Sequence, residues 1–172
     1  MGTKEIISNN YMVLAQKKFL CQNFSSERAA LITGAFTNNI GEVISDALIA
    51  ERIKIKCIDR KFKKNNDLLI VENIKNCIKK FFNEFPNGDI LVVAHSDMQL
   101  KWYEDYNEKE ISYIINNNLT STSILVNEWV KATMNKNYKK YIVLIGSMAY
   151  NNVLNGSIPY CVSKSGIAML AR

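Results

Sequence analysis

The sequence predicts a doubly wound α/β domain, a parallel sheet with helices on both faces. Short apolar runs recur along the chain, separated by stretches of helical periodicity. The runs are continuous rather than alternating, as strands buried on both faces require. The chain is 172 residues long, its only prolines are Pro86 and Pro159, and it carries no repeat or low-complexity linker. That is the size and texture of one domain with a real core.

The elements follow in order. Residues 1–28 read as a leader, in which "YMVLAQKKFLCQNF" could form a short amphipathic helix; residues 29–172 form the domain. "RAALITG" is a buried strand ended by a glycine turn. "NNIGEVISDALIAER" has helical spacing, with Ile40, Val43, Ile44, Ala47 and Leu48 on one face. "IKIKCID" is a strand, and "ENIKNCIKKFFNEF" is a helix with Ile74, Cys77, Ile78, Phe81 and Phe82 on one face. "GDILVVAHS" is a strand, residues 108–135 a long helix, "KKYIVLIGS" a strand, and "IPYCVSKSGIAMLAR" opens a last helix.

Composition bounds the function. Apolar residues make up 48% and charged residues 22%, and no apolar run reaches the ~20 residues a membrane span needs. Four scattered cysteines and one histidine make a zinc site unexpected, and reduced thiols suggest a cytoplasmic setting. The net charge of +6 comes from dispersed lysines, which reads as solvated surface rather than a nucleic-acid patch.

In this fold class ligands bind past the carboxyl ends of the strands. In "TGAFTNNIG", Gly34 allows a tight turn and Gly41 close packing of the next helix, whose first N–H groups suit a pyrophosphate. A plain strand–helix turn is the alternative. Asp59 ends the second strand, where an acid can hold ribose hydroxyls; a bland surface aspartate at a strand end is the alternative. Tyr160 and Lys164 stand four apart, on one helical face. An ammonium beside a phenol favours the phenolate and suits it to proton transfer. Most such pairs are surface or packing residues. Ser147 follows the strand "YIVLIG" and could bond a carbonyl oxygen facing Tyr160. Asn118 sits inside the long helix, where an amide is poor for helix propensity; a solvent-facing Asn in an Asn-rich stretch is the alternative.

Together these residues resemble the short-chain dehydrogenase/reductase family, from about Glu27 to Arg172. "TGAFTNNIG" resembles its Thr-Gly-x-x-x-Gly-x-Gly turn, and "YCVSK" its Tyr-x-x-x-Lys motif. Ser147 precedes Tyr160 by thirteen positions, as in the family, and Asn118-Leu119 matches its helix asparagine. The resemblance implies a Rossmann-like fold and an oxidoreductase using NAD, with NADP possible, on a small-molecule carbonyl or alcohol. It implies Tyr160 as acid/base, Lys164 as its support and a ribose ligand, Ser147 on the substrate oxygen, and Asn118 organising a relay water. The cofactor would touch Gly34, Thr37, Asn39, Ile40, Gly41, Asp59, Asp67, Leu68, Ala94, His95, Tyr160 and Lys164. Asp59 suggests NAD, while Arg60 beside it can hold a 2′-phosphate. The helices bearing Asn118 and Tyr160 would build a homodimer or homotetramer, with no nucleic acid, membrane or metal involved.

Departures are expected too. The glycine turn has one extra residue, and Asn38 or Asn39 replaces its middle glycine. "VAHS" stands where Asn-Asn-Ala-Gly is usual; His95 and Ser96 resemble the enoyl-reductase branch, which spaces its Tyr and Lys differently. The family has a helix and a strand after Asp59; here one strand, "DLLIV", would serve, with Asp67 and Leu68 or Val71 near the adenine. The family's last strands, substrate loop and further helix have no counterpart, which implies a truncated member with an uncovered sheet edge, or a non-catalytic nucleotide-binding relic.

Overall fold

The computed structural model describes residues 28–36, 39–59 and 67–172, with Asn39 by its backbone alone. Residues 1–27 of the leader with its amphipathic stretch, Thr37, Asn38 and Arg60 lie outside them. The elements are β1 (Ala29–Thr33), α1 (Asn39–Ala50), β2 (Lys54–Ile58), α2 (Val71–Glu84) and β3 (Ile90–Val93). Then follow α3 (Glu108–Ile115), α4 (Ser121–Thr133), β4 (Tyr141–Leu144) and α5 (Ile158–Leu170). The four strands form one parallel sheet in the order β2-β1-β3-β4. This is a Rossmann-like, doubly wound α/β fold, as the continuous apolar strands predict.

Alternation along β1 sorts the core into two layers. Ala29 and Leu31 join Ile74, Ile78 and Phe81 of α2 and Leu125 and Trp129 of α4. Ala30 and Ile32 join Ile53 and, from α1, Ile44 and Leu48. The chain leaves β1 for β2 on one side and crosses to β3 on the other. Right-handed crossovers then place α1 and α2 on opposite faces and open a crevice between the ends of β1 and β3. Thr33 pairs with both Ile58 and Val93, and Val93 with Leu144, so the carboxyl ends are level. Gly34, Asp59, Ala94 and Ile145 thereby form one rim.

Three expectations change. "DLLIV" is not a strand: Asp67 Oδ1 accepts from Leu69 N at 3.0 Å, its carbonyl accepts from Asn73 Nδ2, and Val71 begins α2. An aspartate that bonds the amide two residues on stabilises a turn, and that local bond prevails over the apolar run. The buried face of α1 is also displaced. Ile40 and Val43 point to solvent, while Gly41 and Ser45 are buried and Ser45 Oγ back-bonds to Gly41 O at 2.7 Å. Finally, the long helix is interrupted between α3 and α4 by a π-helical turn, Asn116–Thr120. At the sheet's outer strand, β4, the side chains of Tyr141, Ile142 and Val143 are exposed.

Candidate active site

The glycine turn is held by contacts only glycine permits. Gly34 has φ +70°, and a Cβ there would lie 2.5 Å from His95 N. A Cβ on Gly41 would lie 2.3 Å from Gly34 O. The first turn of α1 therefore rests directly on the end of β1, and Ile40 in that turn is exposed. Gly34→Ala combines left-handed strain of ~1–2 kcal/mol with a backbone overlap. We expect a loss of at least ~2 kcal/mol, read as a fall in midpoint by denaturant unfolding.

Asp59 is buried beneath this turn, where Oδ2 accepts from Phe36 N at 3.0 Å. Asp67 lies at the surface turn before α2, and Leu68 packs in the core layer that contains Ile58 and Val93. Leu68 also lines a cavity of about 310 Å³ with Leu69, Val71, Asn116, Thr120 and Ser121. Ala94 is buried at the rim, its N–H donating to Thr33 O at 3.1 Å. Ser96 Oγ, two residues further, is buried without a hydrogen-bond partner among the described residues. His95 is half-buried and bonds through both ring nitrogens, to Thr33 Oγ1 at 2.7 Å and Ser121 Oγ at 2.8 Å.

Asn118 is 2% exposed, so the solvent-facing alternative fails. Its Oδ1 accepts from Asp97 N at 2.8 Å, and its Nδ2 donates to Asp97 O at 2.8 Å and Ser163 Oγ at 3.1 Å. The amide thus joins the segment after β3 to α5. Three successive hydroxyls, Ser121, Thr122 and Ser123, donate back to the carbonyls of Asn117, Asn118 and Leu119. Such back-bonds compete with helical N–H groups and bend helices, which gives the π turn a local cause. The "STS" after "NNNLT" carries that signal.

Ser147 caps a short 3₁₀ turn, Met148–Tyr150, its Oγ accepting from Ala149 N at 3.2 Å. It makes no hydrogen bond to Tyr160. The Tyr160 hydroxyl bonds to no described residue, and its ring centroid lies 5.5 Å from Lys164 Nζ. Lys164 is 4% exposed and donates to Ile145 O at 2.9 Å, just past β4. The structure thus brings Lys164 to the strand-tip rim and Tyr160 beside it, one turn earlier on α5.

Burial pushes the Lys164 ammonium below its ordinary 10.5. Between its folded and unfolded values the unfolded chain binds more protons, so stability rises with pH in that window. Below it, the buried charge costs stability in full. Lys164→Met removes that cost, so its midpoint relative to the native protein is highest near pH 7 and falls toward pH 10.5. Each kcal/mol of relief corresponds to about 2–4 °C, readable in paired melts across pH.

Among the described residues, no helix is long and apolar enough to cross a membrane, and no cluster of His, Cys, Asp or Glu could hold a metal ion. The fold and its rim define a doubly wound α/β domain with a glycine turn and a Tyr/Lys pair at the carboxyl ends of the strands. The profile described as short chain dehydrogenase matches residues 28–172, and the chain belongs to this family. No curated protein sequence matches the chain. Similar solved structures include a 3-oxoacyl-[acyl-carrier protein] reductase from Brucella melitensis in complex with NAD. It has a TM-score of 0.77 and 21% identity, over 84% of this chain and 65% of that one. A short chain dehydrogenase from Leptospira borgpetersenii with bound NAD+ has a TM-score of 0.76 and 21% identity, over 88% and 65%. One from Bacillus anthracis has a TM-score of 0.76 and 17% identity, over 84% and 65%. The chain therefore spans about two thirds of the length of these proteins.

Proposed function

We propose that the chain is the nucleotide-binding and catalytic part of an NAD(P)-dependent oxidoreductase acting on a carbonyl or alcohol. The observation that carries this reading is the buried Lys164 ammonium, fixed to Ile145 O at the sheet rim with the Tyr160 ring 5.5 Å away. Three features suit a dinucleotide at the rim: a Cβ at Gly41 would strike Gly34 O, Ile40 in the first turn of α1 is exposed, and Ser96 Oγ is buried without a hydrogen-bond partner among the described residues. Gly34, Thr37, Asn39, Ile40 and Gly41 hold the pyrophosphate, Asp59, Asp67 and Leu68 the adenosine, and Ala94, His95, Tyr160 and Lys164 the remainder. When bound, the nicotinamide supplies or accepts the hydride.

The chain's own residues handle the proton. The Tyr160 hydroxyl donates to the forming alkoxide in reduction and accepts in the reverse direction. Lys164, held by Ile145 O, stabilises the negative charge this leaves on Tyr160. Ser147 turns its hydroxyl from the Ala149 cap to the substrate oxygen. Asn118 holds Asp97 and α5 in register. Asp59 disfavours a 2′-phosphate and so favours NAD. Assembly as a dimer or tetramer uses the long helix that bears Asn118, continued by α4, and α5, where Val130, Val162 and Met169 are exposed.

The test is initial-rate measurement with NADH and with NADPH over a panel of ketones and aldehydes. Saturable oxidation of NADH, with kcat/KM higher than for NADPH, is expected. Nucleotide binding without turnover on any carbonyl would favour the second reading, a binding module. That reading draws on Ser147, whose Oγ caps Ala149 instead of meeting Tyr160.

A further inference from the structure

The family role proposed above leaves the His95 side chain without a distinct task, yet both nitrogens of its imidazole are engaged at the rim. Nδ1 meets Thr33 Oγ1 at 2.7 Å, immediately before the glycine turn, and Nε2 meets Ser121 Oγ at 2.8 Å, immediately after the π turn. The His95 backbone closes on the Gly34 Cα.

The hydrogens in this chain of bonds can be assigned. Ser121 has one hydroxyl hydrogen and donates it to Asn117 O at 2.6 Å, an atom that can only accept. Ser121 Oγ must therefore accept from His95, so the proton sits on Nε2. In the neutral ring Nδ1 is then an acceptor, and Thr33, wholly buried, donates its hydroxyl to it. A neutral imidazole with its proton on Nε2 satisfies every group in the row, and the opposite tautomer leaves two acceptors facing each other across 2.8 Å.

We propose that His95 is a positioning residue, an Nε2–H bridge that couples the glycine turn to the helix segment bearing Asn118. Nucleotide seated on the turn and the placement of Asn118 then share one determinant. This proposal rests on the dinucleotide reading of the rim. The bridge fixes the end of β1 from the side opposite β2, so the turn's amides are already in place before a phosphate arrives.

The chain has a single histidine, so its ring nitrogens give unambiguous signals in a long-range ¹H–¹⁵N spectrum. At neutral pH we expect the Nε2–H tautomer; the Nδ1–H tautomer would overturn the bridge. In parallel, NADH affinity is measured by fluorescence for His95→Ala, Ser121→Ala and the double variant. Both single variants remove the His95–Ser121 bond, and at ~1 kcal/mol for that shared bond the Kd should be about fivefold weaker in each. The double variant should be no weaker than the singles, because both break the same bridge. Additive losses, or singles that bind as tightly as the native chain, would overturn the coupling. Thr133→Ala, at the far end of α4, also removes a buried hydroxyl bond, to Trp129 O. It should lower the melting point and leave the NADH Kd unchanged; a matching loss of affinity would show that general destabilisation explains the result. A native chain that binds no NADH would sink the dinucleotide reading and with it the positioning role, while the ring spectrum still decides whether the bridge exists.

Discussion

Replacing Tyr160 by Phe is expected to lower turnover about 10²–10⁴-fold, the usual contribution of a positioned acid/base. NADH affinity should stay within about twofold, since only the proton-transferring atom is lost. Stability should hardly move, because the hydroxyl bonds to no described residue and its removal orphans nothing. The variant retains the ring beside Lys164. Steady-state rates and an NADH titration on the same preparation separate the effects. Equal rates in the two proteins would remove Tyr160 from the chemistry, and a weakened NADH Kd with unchanged kcat would make it a binding residue only.

The second large effect is on stability and falls on Asn118. Asn118→Ala removes four hydrogen bonds and leaves Asp97 N, Asp97 O, Asn117 Nδ2 and Ser163 Oγ without that partner. At about 1 kcal/mol for each, the loss is ~4 kcal/mol. For a chain of this size that lowers the melting point by roughly 8–16 °C. Asn116→Ala, two residues earlier and exposed, should cost no more than ~0.5 kcal/mol. The pair contrasts a buried amide that ties two segments with an exposed one on the same turn. Equal melting points for the two variants would show that the Asn118 contacts do not hold the segment after β3.

Much of this organisation is legible in the residues themselves. Continuous apolar strands separated by helical spacing give the sheet and its two coverings, because burial on both faces leaves no room for polar alternation. The glycine turn is legible as well, since Gly34 and Gly41 mark places where backbone meets backbone. What escapes the sequence is set by side chains reaching their own or distant backbone. Asp67 turns "DLLIV" away from a strand through a bond two residues long. Ser121, Thr122 and Ser123 shift helical carbonyls into a π turn, which a hydrophobic period cannot register. The face of α1 is misjudged because a small residue, Gly41, makes its closest contact, leaving Ile40 and Val43 outside. Asn118 is recognisable by resemblance, but its partner Asp97 lies twenty-one residues away and is visible only in three dimensions. Tyr160 and Lys164 are legible as a pair; that Lys164 is anchored on Ile145 O, with no described carboxylate beside it, is not.

The central claim is that a dinucleotide seats on the rim formed by the carboxyl ends of the strands. Backbone amide shifts recorded during titration with NADH test it directly, without any substitution. The account predicts saturable shifts at Gly34, Ala35, Phe36, Ile40, Gly41, Asp59, Ala94 and Ile145, with Arg28, Asp89 and Tyr138, at the opposite end of the sheet, unmoved. Shifts concentrated at those three, or none anywhere at millimolar NADH, would contradict it.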